Sequence, residues 1–206
     1  MAQTGPSELT GSYRTMPPTN FDRVVVVGTT GSGKSTFARQ LADRLRARCV
    51  ELDPLYWGPE WTPRNDFEQQ VLHAVQEPRW VIDGNYSIVR DIVWRRTTAI
   101  VWLDYSFLRI FSQAFRRTVR RVVLQERLYG DNRETLHGTF FDIDSPVWLV
   151  ARTYSRRRRE YSSLFDGPEY SDVTVVRLQA PTTTRRFLFE IERDSEAIRR
   201  GCPPAS

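Results

Sequence analysis

One stretch of this chain has the residue types and spacing to bind phosphate. Gly28-Thr29-Thr30-Gly31-Ser32-Gly33-Lys34-Ser35 fits Gly, four residues, Gly-Lys-Ser/Thr, the pattern of a phosphate-binding P-loop. Gly28, Gly31 and Gly33 can take backbone angles that a Cβ would forbid. The N–H groups of the loop can then converge on phosphate oxygens, helped by the partial positive charge of a helix N-terminus behind them. Lys34 would reach the β- and γ-phosphates, and the Ser35 hydroxyl would take a place on Mg²⁺. The candidate nucleotide-binding residues are Gly28, Thr29, Thr30, Gly31, Ser32, Gly33, Lys34, Ser35 and Thr36.

Three acids follow apolar runs. Asp83 closes Trp80-Val81-Ile82 and reads as the acid that helps to hold the metal; its other reading is a turn-forming Asp-Gly pair. Asp53 follows Cys49-Val50-Glu51-Leu52. It can accept a proton from an attacking hydroxyl or bind the acceptor, or it can simply begin an Asp-Pro turn. Asp104 precedes Ser106 at a predicted helix start, where capping is the expected role. Arginines supply the remaining chemistry. Phosphoryl transfer is mostly electrostatic, and a mobile arginine can neutralise the charge that develops while a closing segment excludes water. Arg127 and Arg133 flank the near side of Gly130-Asp131-Asn132-Arg133-Glu134, and Arg152, Arg156 and Arg157 the far side. Lys34, Asp53, Asp83, Arg127, Arg133 and Arg157 are the candidate catalytic residues, and Ser35 and Asp83 the candidate metal ligands. Tyr56, Trp57 and Trp61 form either an aromatic wall for an acceptor or a cover for the core edge.

The elements that must position these residues alternate. Val24-Val25-Val26-Val27 reads as a buried parallel strand ahead of the glycines. Phe37, Leu41 and Leu45 give the helix behind them one apolar face. Further strands are expected at Cys49–Leu52, Trp80–Ile82, Ala99–Leu103 and Val173–Leu178. Helices are expected from Thr62-Pro63 to Pro78, over Ser87 to Arg96, from about Ser106 to Leu128, from about Pro146 to Tyr161, and from Pro181 onward. The buried side of the long helix is read as Phe107, Ile110, Phe111, Ala114, Phe115, Val119 and Val122. Pro54 to Trp61 reads as irregular. Strands alternating with helices argue for an α/β fold with a parallel sheet covered on both faces. In such sheets ligands bind beyond the carboxyl ends of the strands, where Gly28, Asp53, Asp83 and Asp104 all fall.

The chain has 206 residues and a net charge of +5. Between Tyr105 and Glu160 stand twelve Arg and six Asp or Glu, a local excess that suits an anionic partner, either polyphosphate or nucleic acid. No apolar run approaches a membrane span and the first twenty residues have no signal-like core. Cys49 and Cys202 lack metal-ligand spacing. The expectation is a cytoplasmic protein with a disordered tail over 1–20, one domain over 21–200 with a lid at about 126–160, and a tail over 201–206.

The P-loop, an acid after the second strand, Asp-Gly after the third and an arginine-rich helical segment together resemble the adenylate kinase and shikimate kinase group of P-loop NTPases. Adenylate kinases carry Asp-Gly-Phe-Pro-Arg after their third strand. Asp83-Gly84-Asn85-Tyr86 matches the Asp-Gly and lacks the arginine. With Leu52-Asp53-Pro54-Leu55-Tyr56-Trp57, that stretch looks more like the adenylate-kinase-like "topology modulation" proteins of bacteria. The resemblance implies a three-layer α/β/α fold whose five parallel strands are ordered 2-3-1-4-5, with ATP and Mg²⁺ as cofactors. It also implies a lid over the phosphates, and adenine near Gln179 to Thr182. The leading expectation is a kinase that moves the γ-phosphoryl group of ATP to a small acceptor such as a nucleoside monophosphate. The alternatives are an ATP-dependent DNA-binding or topology-modulating regulator, for which no DNA-reading motif is present, and a nucleotide-binding protein that hydrolyses ATP slowly.

Overall fold

The structure, a computed structural model, describes residues 20–124, 146–167, 170 and 172–199. β1 (Arg23–Gly28) is central because Val24, Val25, Val26 and Val27 present no face to water; all four are 0% exposed. Successive side chains of a strand point to opposite faces. Val24 and Val26 accordingly join one core cluster, and Val25 and Val27 the other. Each buried valine contributes about 1.5 kcal/mol or more, so a polar residue anywhere in this run would disrupt a core.

β3 (Trp80–Asp83) and β4 (Ala99–Leu103) pair with β1 in parallel. β2 (Arg48–Glu51) adds outside β3, and β5 (Thr174–Leu178) outside β4. The order is β2-β3-β1-β4-β5, as expected. Parallel neighbours need crossovers, and helices supply them while covering the sheet. α1 (Lys34–Leu45), α5 (Phe107–Leu124) and α7 (Pro181–Arg199) pack on the face of Val24 and Val26. α3 (Phe67–Ala74) and α4 (Arg90–Trp94) pack on the other. α6 (Pro146–Phe165) serves both: Val150 and Tyr154 join the first cluster, Tyr161 and Phe165 the second. It therefore passes the edge of the sheet between them. Register places Val26 beside Asp83, and Gly28 beside Leu103, so β3 ends two residues before β1 and β4 at the same edge.

The structure corrects three local expectations. Pro54 to Trp61 is not irregular throughout, because Leu52–Tyr56 forms the short helix α2. Pro54 stands in its first turn, where no backbone N–H is required. No helix starts at Thr62-Pro63. Pro63 instead pairs with Trp57 in an isolated antiparallel bridge, and α3 begins at Phe67. Phe115 and Val119 are not buried but 44% and 36% exposed. A helix turns about 100° per residue, and the contact is taken by Ala114, against which the P-loop packs. Arg127, Arg133, Val122 as a side chain, most of the expected lid and both tails lie outside the described residues. Among the described residues no helix is long and apolar enough to cross a membrane.

Candidate functional site

A cleft of about 830 Å³ opens at the carboxyl edge of the sheet. Its floor is the loop between β1 and α1. Gly31 has φ 84°, and a Cβ there would stand 2.9 Å from Ala114 Cβ, so only glycine lets α5 approach the loop this closely. Gly33, with φ 90°, occupies the N-cap of α1 and has no neighbour within 4 Å of a built Cβ. Its conformation demands glycine, and the space beside it is open. Phe37 N–H donates to Gly33 O at 3.0 Å. The N–H groups of Lys34, Ser35 and Thr36 precede that first helical bond and have no partner within the helix. Such a helix end suits an anion.

Gly28, Thr29, Thr30, Gly31, Gly33, Lys34, Ser35 and Thr36 all line the cleft. Ser32 does not; its side chain is 1% exposed and its Oγ has no hydrogen-bond partner in the structure. Lys34 Nζ donates to Thr29 O at 3.2 Å. Burial pushes the Lys34 ammonium below its ordinary value, while Asp83 and then Asp53 pull it back up. Asp83 is 7% exposed, and burial pushes its carboxyl up against the pull of Lys34 and Ser35. Its Oδ1 is buried without a protein partner. That orphaned oxygen, beside the Ser35 hydroxyl, suits a magnesium ion, which keeps water and phosphate oxygens in its shell and asks little of the protein. Consistent with so sparse a donor set, no group of three or more His, Cys, Asp or Glu able to hold a metal occurs among the described residues.

Asp53 lies in the first turn of α2 and accepts a 2.6 Å hydrogen bond from the Tyr86 hydroxyl. Burial, and then the charge of Asp53, push the Tyr86 hydroxyl far up. Tyr86 is therefore a fixed donor that holds one carboxylate oxygen. Trp57 and Trp61 also line the cleft. They stand at the cleft because a hairpin-like turn carries them there: Gly58 N–H donates to Thr62 O, and Arg64 N–H to Tyr56 O, both at 2.8 Å.

α6 sorts its four consecutive arginines by direction, as helical geometry requires. Arg156 and Arg157 line the cleft. Arg157 pairs with Glu160 at 3.3 Å, Glu160 with Arg90 at 2.9 Å, and Arg90 Nε donates to Asn85 Oδ1 at 3.1 Å. This chain ties α6 to the loop after β3. Arg158 turns to Asp104 instead, 3.0 Å away. Arg159 donates back to Ser155 O of its own helix, as Arg116 does to Ser112 O. Asp104 does not cap α5; it is buried and held by Arg158 and Arg177, while the backbone of Ser106 accepts the first helical bond from Ile110.

Arg39, Asn85, Tyr86, Ser87, Gln113, Arg117 and Tyr161 also line the cleft and were not among the sequence candidates. Two of them had a usable signal. Arg39 stands four residues after Ser35, and Arg117 four after Gln113, so each pair shares a helix face. Five cationic side chains, Lys34, Arg39, Arg117, Arg156 and Arg157, face the cleft against the carboxylates of Asp53 and Asp83. The excess of positive charge suits a polyanion.

No family model and no curated protein matches the chain. Solved structures do. A shikimate kinase from Acinetobacter baumannii in complex with shikimate superposes with a TM-score of 0.52 at 14% identity, over 84% of this chain and 92% of that one. A putative kinase from Chloroflexus aurantiacus J-10-fl gives 0.48 at 14% identity, over 84% and 98%. A gluconokinase from Sinorhizobium meliloti 1021 gives 0.46 at 17%, over 88% and 98%. At such identity the likeness to the shikimate kinase is one of fold. The chain has the five-stranded parallel α/β/α fold of P-loop kinases.

Proposed function

We propose that this chain is a small-molecule kinase that moves the γ-phosphoryl group of ATP to a hydroxyl acceptor. The observation that supports this best is the place of Lys34. It stands at the start of α1 and lines one cleft with Ser35, Asp83 and Asp53. A donor cradle and an acceptor acid thus share one cleft.

In this reading the N–H groups at the start of α1 and the Lys34 ammonium hold the β- and γ-phosphates. Phosphates there favour the charged ammonium and offset the burial that disfavours it. Ser35 and Asp83 are the residues that would hold Mg²⁺, which neutralises phosphate charge when bound. Asp53, kept in one orientation by Tyr86, accepts the proton of the acceptor hydroxyl. The acceptor oxygen forms a bond to the γ-phosphorus, the bond to the β-phosphate oxygen breaks, and ADP leaves. Arg157, braced by Glu160, and Arg117 place positive charge beside Lys34, where charge builds on the transferring group. Arg127 and Arg133 remain proposed contributors from the segment before α6. A nucleoside monophosphate is one acceptor that fits the fold.

The test is an acceptor screen. The purified chain is mixed with Mg-ATP and a panel of nucleosides, nucleoside monophosphates, sugars, sugar acids and duplex DNA, and products are read by mass spectrometry. A phosphorylated small molecule, absent with Lys34→Ala, is expected. Hydrolysis stimulated by DNA without any transfer would point to the regulator instead. Asp53→Asn should slow transfer about a hundredfold while changing ATP affinity only a few-fold. An equal loss in both would move Asp53 to the donor side.

A further inference from the structure

Five aromatic rings form one chain of contacts that reaches Asp53 through the Tyr86 hydroxyl. Tyr56 and Tyr86 have centroids 4.6 Å apart, and Trp57 meets Tyr56 edge-on at 4.7 Å. Phe67 lies 5.0 Å from Tyr56 and 5.5 Å from Tyr86. Trp61 stands edge-on to Trp57 at 5.8 Å. Phe67 is core, and Tyr56 and Tyr86 pack against that core. Trp61 is different. It is 42% exposed, lines the cleft, and sits at φ 57° directly after Glu60 at φ 53°. Two consecutive left-handed residues that are not glycine, one of them bulky, are rare and costly. The turn that imposes them keeps a large apolar ring half in water, so burial within the chain does not account for it.

The polar groups nearby are mostly committed. Asp53 Oδ1 accepts from Tyr86. Asn85 accepts from Arg90 through Oδ1 and donates to Tyr161 through Nδ2, at 3.1 and 3.4 Å. Among the described residues, Asp53 Oδ2 and the Ser87 hydroxyl make no hydrogen bond, and both residues line the cleft with Trp61. A saturated polyol would need a partner for every hydroxyl it brings out of water. Trp57 and Trp61 bring ring faces to the cleft instead.

We infer that the acceptor is a hydroxyl-bearing molecule with a flat unsaturated ring, of the nucleoside kind, whose ring lies against Trp61 and whose hydroxyl meets Asp53. The inference deepens the kinase reading and rests on it for the fate of the hydroxyl, though not for binding. Stacking on an aromatic side chain tolerates many ring types, so Trp61 selects for flatness and Asp53 for the hydroxyl.

The experiment is calorimetric titration of the full chain, held with Mg²⁺ and a non-hydrolysable ATP analogue. Adenosine, cytidine, thymidine and their monophosphates are compared with glucose, inositol, gluconate and quinate. The flat-ring compounds are expected to bind tightest. Trp61→Ala should weaken them about tenfold and Trp61→Phe should restore most of that loss, with the affinity for the ATP analogue unchanged within about twofold. The monophosphates report whether the acceptor brings its own phosphate. Tighter binding of the saturated compounds, no binding of any flat-ring compound, or a Trp61→Ala variant that binds flat-ring compounds as before would each overturn the inference. The kinase reading fails separately. A flat-ring compound bound through Trp61 but never phosphorylated refutes the kinase and upholds the inference, whereas a phosphorylated sugar upholds the kinase and refutes the inference.

Discussion

Asp83 ends β3 and Asp104 directly follows β4, the two strands that flank β1, and only 7% and 5% of them is exposed. Each follows an apolar run, yet the two carboxylates have opposite surroundings. Asp104 is gripped by Arg177, through Nε at 2.9 Å and Nη2 at 2.5 Å, and by Arg158. The Arg177 guanidinium also lies 4.4 Å over the Trp102 ring. Asp83 has no arginine among its charge partners of note; Lys34 and Ser35 stand beside it and one of its oxygens is left over. A buried carboxylate whose lone pairs are filled ties elements together, here α6 and β5 to the end of β4. One whose lone pairs are not filled costs stability and awaits a ligand. Burial alone does not separate structure from chemistry; the inventory of partners does.

Four substitutions sharpen or break that contrast. The largest effect is expected from Lys34→Ala, which should lower nucleotide-dependent turnover about a thousandfold. The melting temperature should move little, because burial already opposes the ammonium. A collapsed melt with normal turnover per folded molecule would make the donor end structural, like the Asp104 end.

Asp83→Asn comes next, at about a hundredfold in turnover, with a melting temperature at neutral pH equal to or above the parent's. The sign follows from the raised carboxyl. The folded state holds this proton more tightly than the unfolded chain, so the stability it brings is complete below the ordinary value of 3.8 and is lost as pH rises through the folded value. The gap between variant and parent should therefore close as the solution is acidified. A variant that melts well below its parent at every pH would show Asp83 to be a structural acid.

Asp104→Asn should do the reverse. Its loss strands two arginines, but their side chains are 45% and 38% exposed and can return to water. The cost is expected at about 1–3 kcal/mol rather than the larger penalty of a fully buried pair. Chemical denaturation reads the cost directly. Turnover of the folded fraction should fall less than about tenfold, and a deeper loss would bring Asp104 into the reaction.

The smallest effect belongs to Tyr86→Phe. It removes the donor to Asp53 and keeps the ring, so it should raise the acceptor KM about threefold to tenfold and leave the ATP KM alone. Equal changes in both constants would mean that Tyr86 supports the whole cleft and not Asp53 alone.

The donor end was legible in the sequence because everything it needs is local. Glycines at Gly28, Gly31 and Gly33, a β-branched strand before them and an apolar stripe at Phe37, Leu41 and Leu45 dictate strand, loop and helix N-terminus within a few turns of chain. Asp83 was legible for the same reason, since it closes its own strand. The stretch from Pro54 to Pro63 was not. Its prolines and glycine signal a break, but Pro54 is compatible with a first helical turn, and the bridge from Trp57 to Pro63 answers to a packing environment that local propensity does not contain. The roles of the acids split along the same line. Capping by Asp104 was a local argument, and it lost to Arg158 and Arg177, which stand 54 and 73 residues away.

By itself, then, the sequence determined a parallel α/β sheet, a glycine-rich loop of P-loop pattern at one strand end and a row of acids near it. Periodicity and backbone sterics act over neighbouring residues and can be read from them. Only the tertiary structure decided which acids face the cleft and which is locked in ion pairs, which of four adjacent arginines line the cleft, and that Tyr86 holds Asp53. Those outcomes depend on charges and lone pairs meeting across the fold, and a buried group takes its character from the partners that the fold delivers to it.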